Sequence, residues 1–172
     1  MQSCILLLAT VHLGYVPLPQ PPNITSANGI LHATLHVVPS TINSGPFSFQ
    51  RRSYNGLAVG PTLRVKRGDK VTIVVSNELG DEPETPTGQH YTNAMAKNKT
   101  GDWLHDKEVY AYPNHTNLHV HGLHVSPLGD HDNVFRHIPP LSNATYEYEI
   151  PHNHPTGIFW YHPHYAGSRY RR

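Results

Sequence analysis

Apolar and polar residues alternate over residues 29–38: Leu31, Ala33, Leu35 and Val37 interleave with His32, Thr34 and His36. Period two is the signature of a half-buried β-strand, whose successive side chains face opposite ways. His32 and His36 fall on the polar face and read as solvated. The same alternation recurs over 47–52 (Phe47-Ser48-Phe49-Gln50) and over 144–150, where Tyr and Glu take turns. Between the first two lie the turn residues of 39–46. Residues 60–70 and 71–75 read as two strands of a hairpin closed by Arg67-Gly68-Asp69, with Gly68 supplying backbone freedom. That tripeptide also occurs as an adhesion signal, but the turn is the better reading. Residues 116–125 and 158–162 read as two further strands, each ending in histidines, with a loop over 126–133 and a turn over 151–157. Residues 80–112 are polar, carry Pro83, Pro86, Gly88 and Gly101, and hold no period, which makes an unusually long connection. His90, Trp103 and His105 lie there and take no role. No stretch reads as a helix, so the class is all-β.

Composition narrows this further. The 172 residues suffice for one domain with its own core, and 16 prolines and 13 glycines suit a turn-rich β protein. Thirteen basic residues against 12 acidic ones give no sign of a nucleic-acid or membrane-surface partner. Arg169, Arg171 and Arg172 read as a solvated tail. Cys4 is the only cysteine, which excludes an internal disulfide and a cysteine zinc site. Residues 1–16 hold a short apolar run, too short to span a membrane. It resembles the centre of a secretory signal, although no basic residue precedes it. The sequons at Asn23, Asn98, Asn114 and Asn143 agree with a secreted or extracellular glycoprotein. The expected organisation is a signal over 1–16, a proline-rich lead-in over 17–28 and one domain over 29–172.

Fifteen histidines then change the picture. Three His-x-His pairs occur: His119/His121, His152/His154 and His162/His164. The middle pair precedes Pro155 in a turn and reads as surface. The outer two sit at strand ends. His119 and His121 project to the same side, with Cα atoms roughly 6–7 Å apart. That spacing suits ligands of neighbouring metal ions, or of one ion with some distortion. Gly122 leaves room for a close approach. All-imidazole ligation suits copper and zinc, and iron less specifically. His124 lies one residue out of phase and faces away. His131 and His137 read as solvated, and Trp160 and Tyr161 as strand core and rim.

The local sequence goes further than ligand chemistry. Asn117-Leu118-His119-Val120-His121-Gly122, with Leu123-His124-Val125-Ser126-Pro127 and Asp132-Asn133-Val134-Phe135, resembles the first copper motif of the laccase-like multicopper oxidases. Pro155-Thr156-Gly157-Ile158-Phe159-Trp160-Tyr161-His162-Pro163-His164 resembles the second, and the segment 60–69 the family's early hairpin. The resemblance implies a cupredoxin-like Greek-key β-sandwich, the N-terminal plastocyanin-like domain of a longer oxidase. It implies that four of the eight histidines of a trinuclear copper cluster, which reduces O2 to water, come from this chain. His119 would bind the type 2 copper, and His121, His162 and His164 the type 3 pair. A loop carboxylate would assist proton delivery, with Asp132 the candidate and Asp130 behind it. The family's further histidine motifs and its cysteine-ligated type 1 copper have no counterpart here. The sandwich would also lack its last strand, so a fragment, truncated product or degenerate copy is expected. Its partners would be the missing oxidase domains, or a second copy pooling histidines. A copper-binding module without oxidase activity, alone or dimeric, is the alternative. A further alternative is a cupin-type or carbonic-anhydrase-like site, His-x-His with a third ligand on zinc or iron; a cupin would want a glutamate a few residues after His121, where Val125, Ser126 and Pro127 stand.

Overall fold

The computed structural model describes residues 20–81 and 114–165. Among the described residues there are eight strands and no helix. Parallel strands β2 (Ile30–Ser44) and β5 (Lys70–Asn77) form the centre of a four-stranded sheet. β3 (Phe47–Tyr54) flanks β2 and β7 (Ser142–Glu149) flanks β5, both antiparallel. The register keeps the alternation in phase. Leu31, Ala33 and Leu35 pair with Val71, Ile73 and Val75, and Val71 and Ile73 pair with Tyr148 and Tyr146. All of these are buried. Burying one such aliphatic side chain contributes about 1.5–3 kcal/mol, so this face sets the layer order.

Two strand pairs make the second layer. β1 (Asn23–Thr25) runs parallel to β4 (Thr62–Arg64), and β6 (His119–His121) runs antiparallel to β8 (Trp160–His162). Leu118 and Val120 are buried in the same core, with Ile24, Leu63 and Tyr161 packed against it. The result is the expected all-β sandwich.

Several local expectations need correcting. β2 does not end at residue 38 but runs on to Ser44 through Pro39. Asn55 N–H donates to the His36 carbonyl, so the even residues of β2 bond β3. The odd ones, Pro39 among them, face the other side, where pairing with β5 has already ended at Val37. The missing N–H of Pro39 therefore costs no ladder bond. Second, β4 and β5 are not a hairpin: they lie in different sheets. The turn between them carries the chain across the sandwich, with Gly68 at φ 84° and its N–H donating to Ile150 O. Third, the strands carrying the histidines are only three residues long each, 119–121 and 160–162. His32 and His36 are exposed as expected, and His36 meets the Glu78 carboxylate.

The leader, His90, Trp103, His105 and the chain end lie outside the described residues. The ends of the long connection are nevertheless fixed. Asn114 Nδ2 donates to the carbonyls of both Gly80 and Asp81, at 2.8 Å each, and its Oδ1 accepts from Arg52. Fully buried Asn77 donates to the carbonyls of Asn114 and Ile138, at 2.7 and 2.9 Å.

At the layer crossing, the Asp69 carboxylate accepts Lys66 N–H at 2.7 Å. A hydrogen bond from Ser26, and then that from Lys66, hold its pKa below the ordinary 3.8. A depressed carboxyl pKa adds stability above the unfolded value, and this is lost as pH falls through the folded one. Asp69→Ala should lower the urea midpoint at neutral pH, by an amount corresponding to about 1–3 kcal/mol for hydrogen bonds to a charged group. The gap to wild type should close as pH drops below about 4. Parallel denaturation curves across that range check it.

Candidate metal centre

The register of β6 and β8 decides which side chains meet. His119 pairs with His162, Val120 with Tyr161, and His121 with Trp160. Directly opposed residues share a face. Val120 and Tyr161 turn into the core, so His119, His121, His162 and Trp160 must all turn outward. Tyr161 anchors the inward side. Its hydroxyl donates to Pro61 O at 2.8 Å, and burial pushes its pKa up to about 12, so it stays a donor. Gly60 has no side chain because a Cβ would lie 2.5 Å from that hydroxyl.

The outcome is a cluster of imidazoles. The ring nitrogens of His119, His121 and His162 include one from each residue, all within 4.8 Å of one another. The His119 ring centre lies 5.5 Å from that of His121, 5.2 Å from His162 and 5.3 Å from His164. The four sequence candidates thus come together around His119. Trp160 does not sit in the strand core as expected; it is 57 % exposed. Its indole stacks on His121 and His162, with centres 4.9 and 4.1 Å apart.

Hydrogen bonds fix which nitrogens are free to coordinate. The Asp132 carboxylate accepts Nδ1–H of His119 at 2.9 Å and Val120 N–H at 2.9 Å. His162 donates Nδ1–H to Pro163 O at 2.9 Å. Both tautomers leave Nε2 as a lone pair, the usual arrangement behind a metal-bound histidine. The Nε2 of His162 is buried and has no hydrogen-bond partner. An orphaned buried acceptor beside three other imidazoles fits a metal ion. Burial, opposed by the Pro163 carbonyl and reinforced by His119, His164 and His121, lowers the His162 pKa, which favours the neutral, coordinating form.

Of the two aspartates considered, Asp132 touches the cluster. Asp130 is solvent-exposed and pairs with Arg136 at 3.0 Å. His124 faces away as expected, while His137 stacks on His115 at the surface. The reading of His154 as a surface residue is wrong. It is 3 % exposed, accepts His124 N–H at Nε2 and donates from Nδ1 to Pro155 O. Its burial against Phe159 could not be read from a turn-forming segment. The close approach at Gly122, with φ 87°, is made by the Phe159 ring, 3.2 Å from where a Cβ would stand.

Asn117 carries a role the sequence did not reveal. It is fully buried; its Oδ1 accepts His164 N–H at 2.6 Å and its Nδ2 donates to Val134 O at 2.8 Å. One amide therefore joins the second histidine motif to the loop that bears Asp132. Its sequence signal is its place at the head of the first histidine motif, which does not say what it bonds.

Removing the partner of a ligating histidine typically costs 10–100-fold in metal affinity. Asp132→Ala should weaken Cu(II) binding by about that factor, and Asp130→Ala should leave it unchanged. Competition against a chromogenic chelator measures both. Asn117→Ala should broaden the Cu(II) EPR hyperfine pattern by loosening His164, even where bound copper per chain is retained.

Comparison with known proteins agrees with this geometry. A family model described as multicopper oxidase matches residues 97–172, which include both histidine motifs. The chain is 30% identical over 131 residues to Laccase-4 of Thanatephorus cucumeris, covering 74% of this chain and 19% of that protein. It is 29% identical over 111 residues to the multicopper oxidase mco of Staphylococcus haemolyticus, covering 64% of this chain and 17% of that one. Among solved structures, a multicopper oxidase from Campylobacter jejuni, described as a metallo-oxidase, superposes with TM-score 0.58 at 26% identity. That match covers 86% of this chain and 25% of the other. The chain thus spans about a fifth of its curated relatives and a quarter of that structure. Its motifs, its relatives and its sandwich together place the chain in the multicopper oxidase family, as a cupredoxin-like domain whose histidine cluster fits copper.

Proposed function

We propose that this domain supplies four of the eight histidines of a trinuclear copper cluster that reduces dioxygen to water in an intact multicopper oxidase. The observation that carries this is the convergence of both His-x-His motifs on one outer face, with the His119 ring within 5.2–5.5 Å of the other three. In this reading His119 holds the type 2 copper, and His121, His162 and His164 hold the type 3 pair. The copper ions, when bound, supply the redox chemistry. The chain's own residues hold and orient. Asp132 keeps His119 in the tautomer with a free Nε2 and offers a carboxylate for proton delivery beside the cluster. Residues 29–172 form the copper-binding domain, residues 1–16 direct export, and the remaining histidines come from further oxidase domains.

A second reading is favoured by the exposure of His121 and His164 on the open side. The domain would then bind copper without oxidase chemistry, alone or with a second copy across that side. Copper titration of the purified chain with mass measurement tests both. Copper should bind the chain, and His119→Ala and His162→Ala should each abolish it. A copper-bound chain whose oligomeric state does not change with copper, and which is inert toward phenols, fits the first reading. A dimer holding more than one copper per chain, and lost when copper is removed, favours the second. Failure of the wild-type chain to retain copper refutes both.

A further inference from the structure

The β2–β3 hairpin extends past the body of the sandwich. β5 stops pairing with β2 at Val37, whereas β3 continues to pair out to Ser44 opposite Phe47. Among the described residues, 38–44 and 47–53 therefore form a two-stranded ribbon, an arrangement that is marginal in water without further strands. Among the described strands, β3 is also the end strand of its sheet. Its odd residues bond β2, so the N–H and C=O groups of Ser48 and Gln50 point outward, where no described residue meets them. The odd side chains share one face: Phe47 is 70 % exposed, Phe49 is 46 % exposed, and Arg51 follows. Phe49 lies opposite Ile42 of β2.

Edges of this kind are ordinarily covered, or blunted by charge, proline or bulges. Here no bulge interrupts the register from Val37–Tyr54 to Ser44–Phe47. We infer that a second copy of this chain pairs with the outer edge of β3, antiparallel and about a two-fold axis at Phe49. The strand is self-complementary in that register, which is what an isologous dimer requires. Ser48 faces Gln50 of the partner subunit, and both present outward backbone groups, so each of the two equivalent pairs exchanges an N–H···O bond in each direction. Phe49 faces the partner's Phe49 in a non-hydrogen-bonded pair, where side chains lie closest. Phe47 faces the partner's Arg51, a guanidinium over an aromatic ring. A register centred on Arg51 would instead oppose two cations, so the pairing is specific. The two ribbons become one four-stranded sheet. The contact lies on β3, away from the imidazoles, and does not depend on the copper reading.

Sedimentation of the full chain over a wide concentration range tests this, with and without copper. Wild type should form a copper-independent dimer. Hydrogen exchange at the Ser48 and Gln50 amides should slow as the dimer forms. Gln50→Pro removes the outward N–H at an edge position that tolerates proline, and Phe49→Lys sets like charges across the axis. Both should be monomeric with unchanged far-UV dichroism, and His121→Ala should remain dimeric. A monomeric wild type at high concentration overturns the inference. So does a dimer that survives both β3 substitutions, or one that His121→Ala or copper removal dissolves.

Discussion

Strand pairing by period two is the constraint on which everything else in this domain rests. β6 and β8 are three residues each, and the central pair, Val120 with Tyr161, faces the core. A slip of one residue would turn every side chain over, burying imidazoles and exposing the apolar pair. The core therefore dictates the site: burial of Val120 and Tyr161 puts His119, His121, Trp160 and His162 on one surface. Tyr146 reinforces the choice from the opposite sheet, since its buried hydroxyl accepts the N–H of Leu118, just before the first histidine, at 3.2 Å.

Two short strands cannot by themselves hold ring orientations. That is done by a small set of buried polar groups around them. Asp132 fixes one ring and one backbone N–H together, and Asn117 fixes the backbone of His164 to the segment following Asp132. Buried polar groups are costly unless satisfied, and these are satisfied by the His119 ring and by the backbone of Val120, Val134 and His164. The inner side of the site is thus rigid, while its outer side is open: His121, His164 and Trp160 are all exposed.

The central sheet was legible because its strands are half-buried and alternate, from Leu31 to Val37 and from Ala144 to Ile150. The four histidines were legible because their motifs are long and specific. What escaped was set by contacts distant in sequence. The turn at Gly68 reads as a hairpin because local chemistry cannot tell whether flanking strands pair with each other or with strands far away. His154 reads as surface because its burial depends on Phe159 and His124. Trp160 reads as core because an aromatic residue in an apolar strand ordinarily is; here the stacking surface is provided by imidazoles. The course of β2 through Pro39 depends on β5 ending at Asn77, which no residue near Pro39 announces. The resemblance singled out Asp132, but no residue near Asn117 announces the two partners, His164 and Val134, that its amide joins.

The clamp at Asn114 has a consequence for maturation of the chain. Asn114-His115-Thr116 is a sequon, yet both amide hydrogens of Asn114 are committed to the carbonyls of Gly80 and Asp81. The Thr116 that a transferase must also read is 2 % exposed. A glycan linkage leaves that nitrogen a single hydrogen, so sugar addition and closure of the clamp draw on the same atom. Whichever happens first during synthesis governs the other. A folded domain of this kind is inert at Asn114, whereas the Asn143 side chain, on strand β7, is exposed and closes no such clamp.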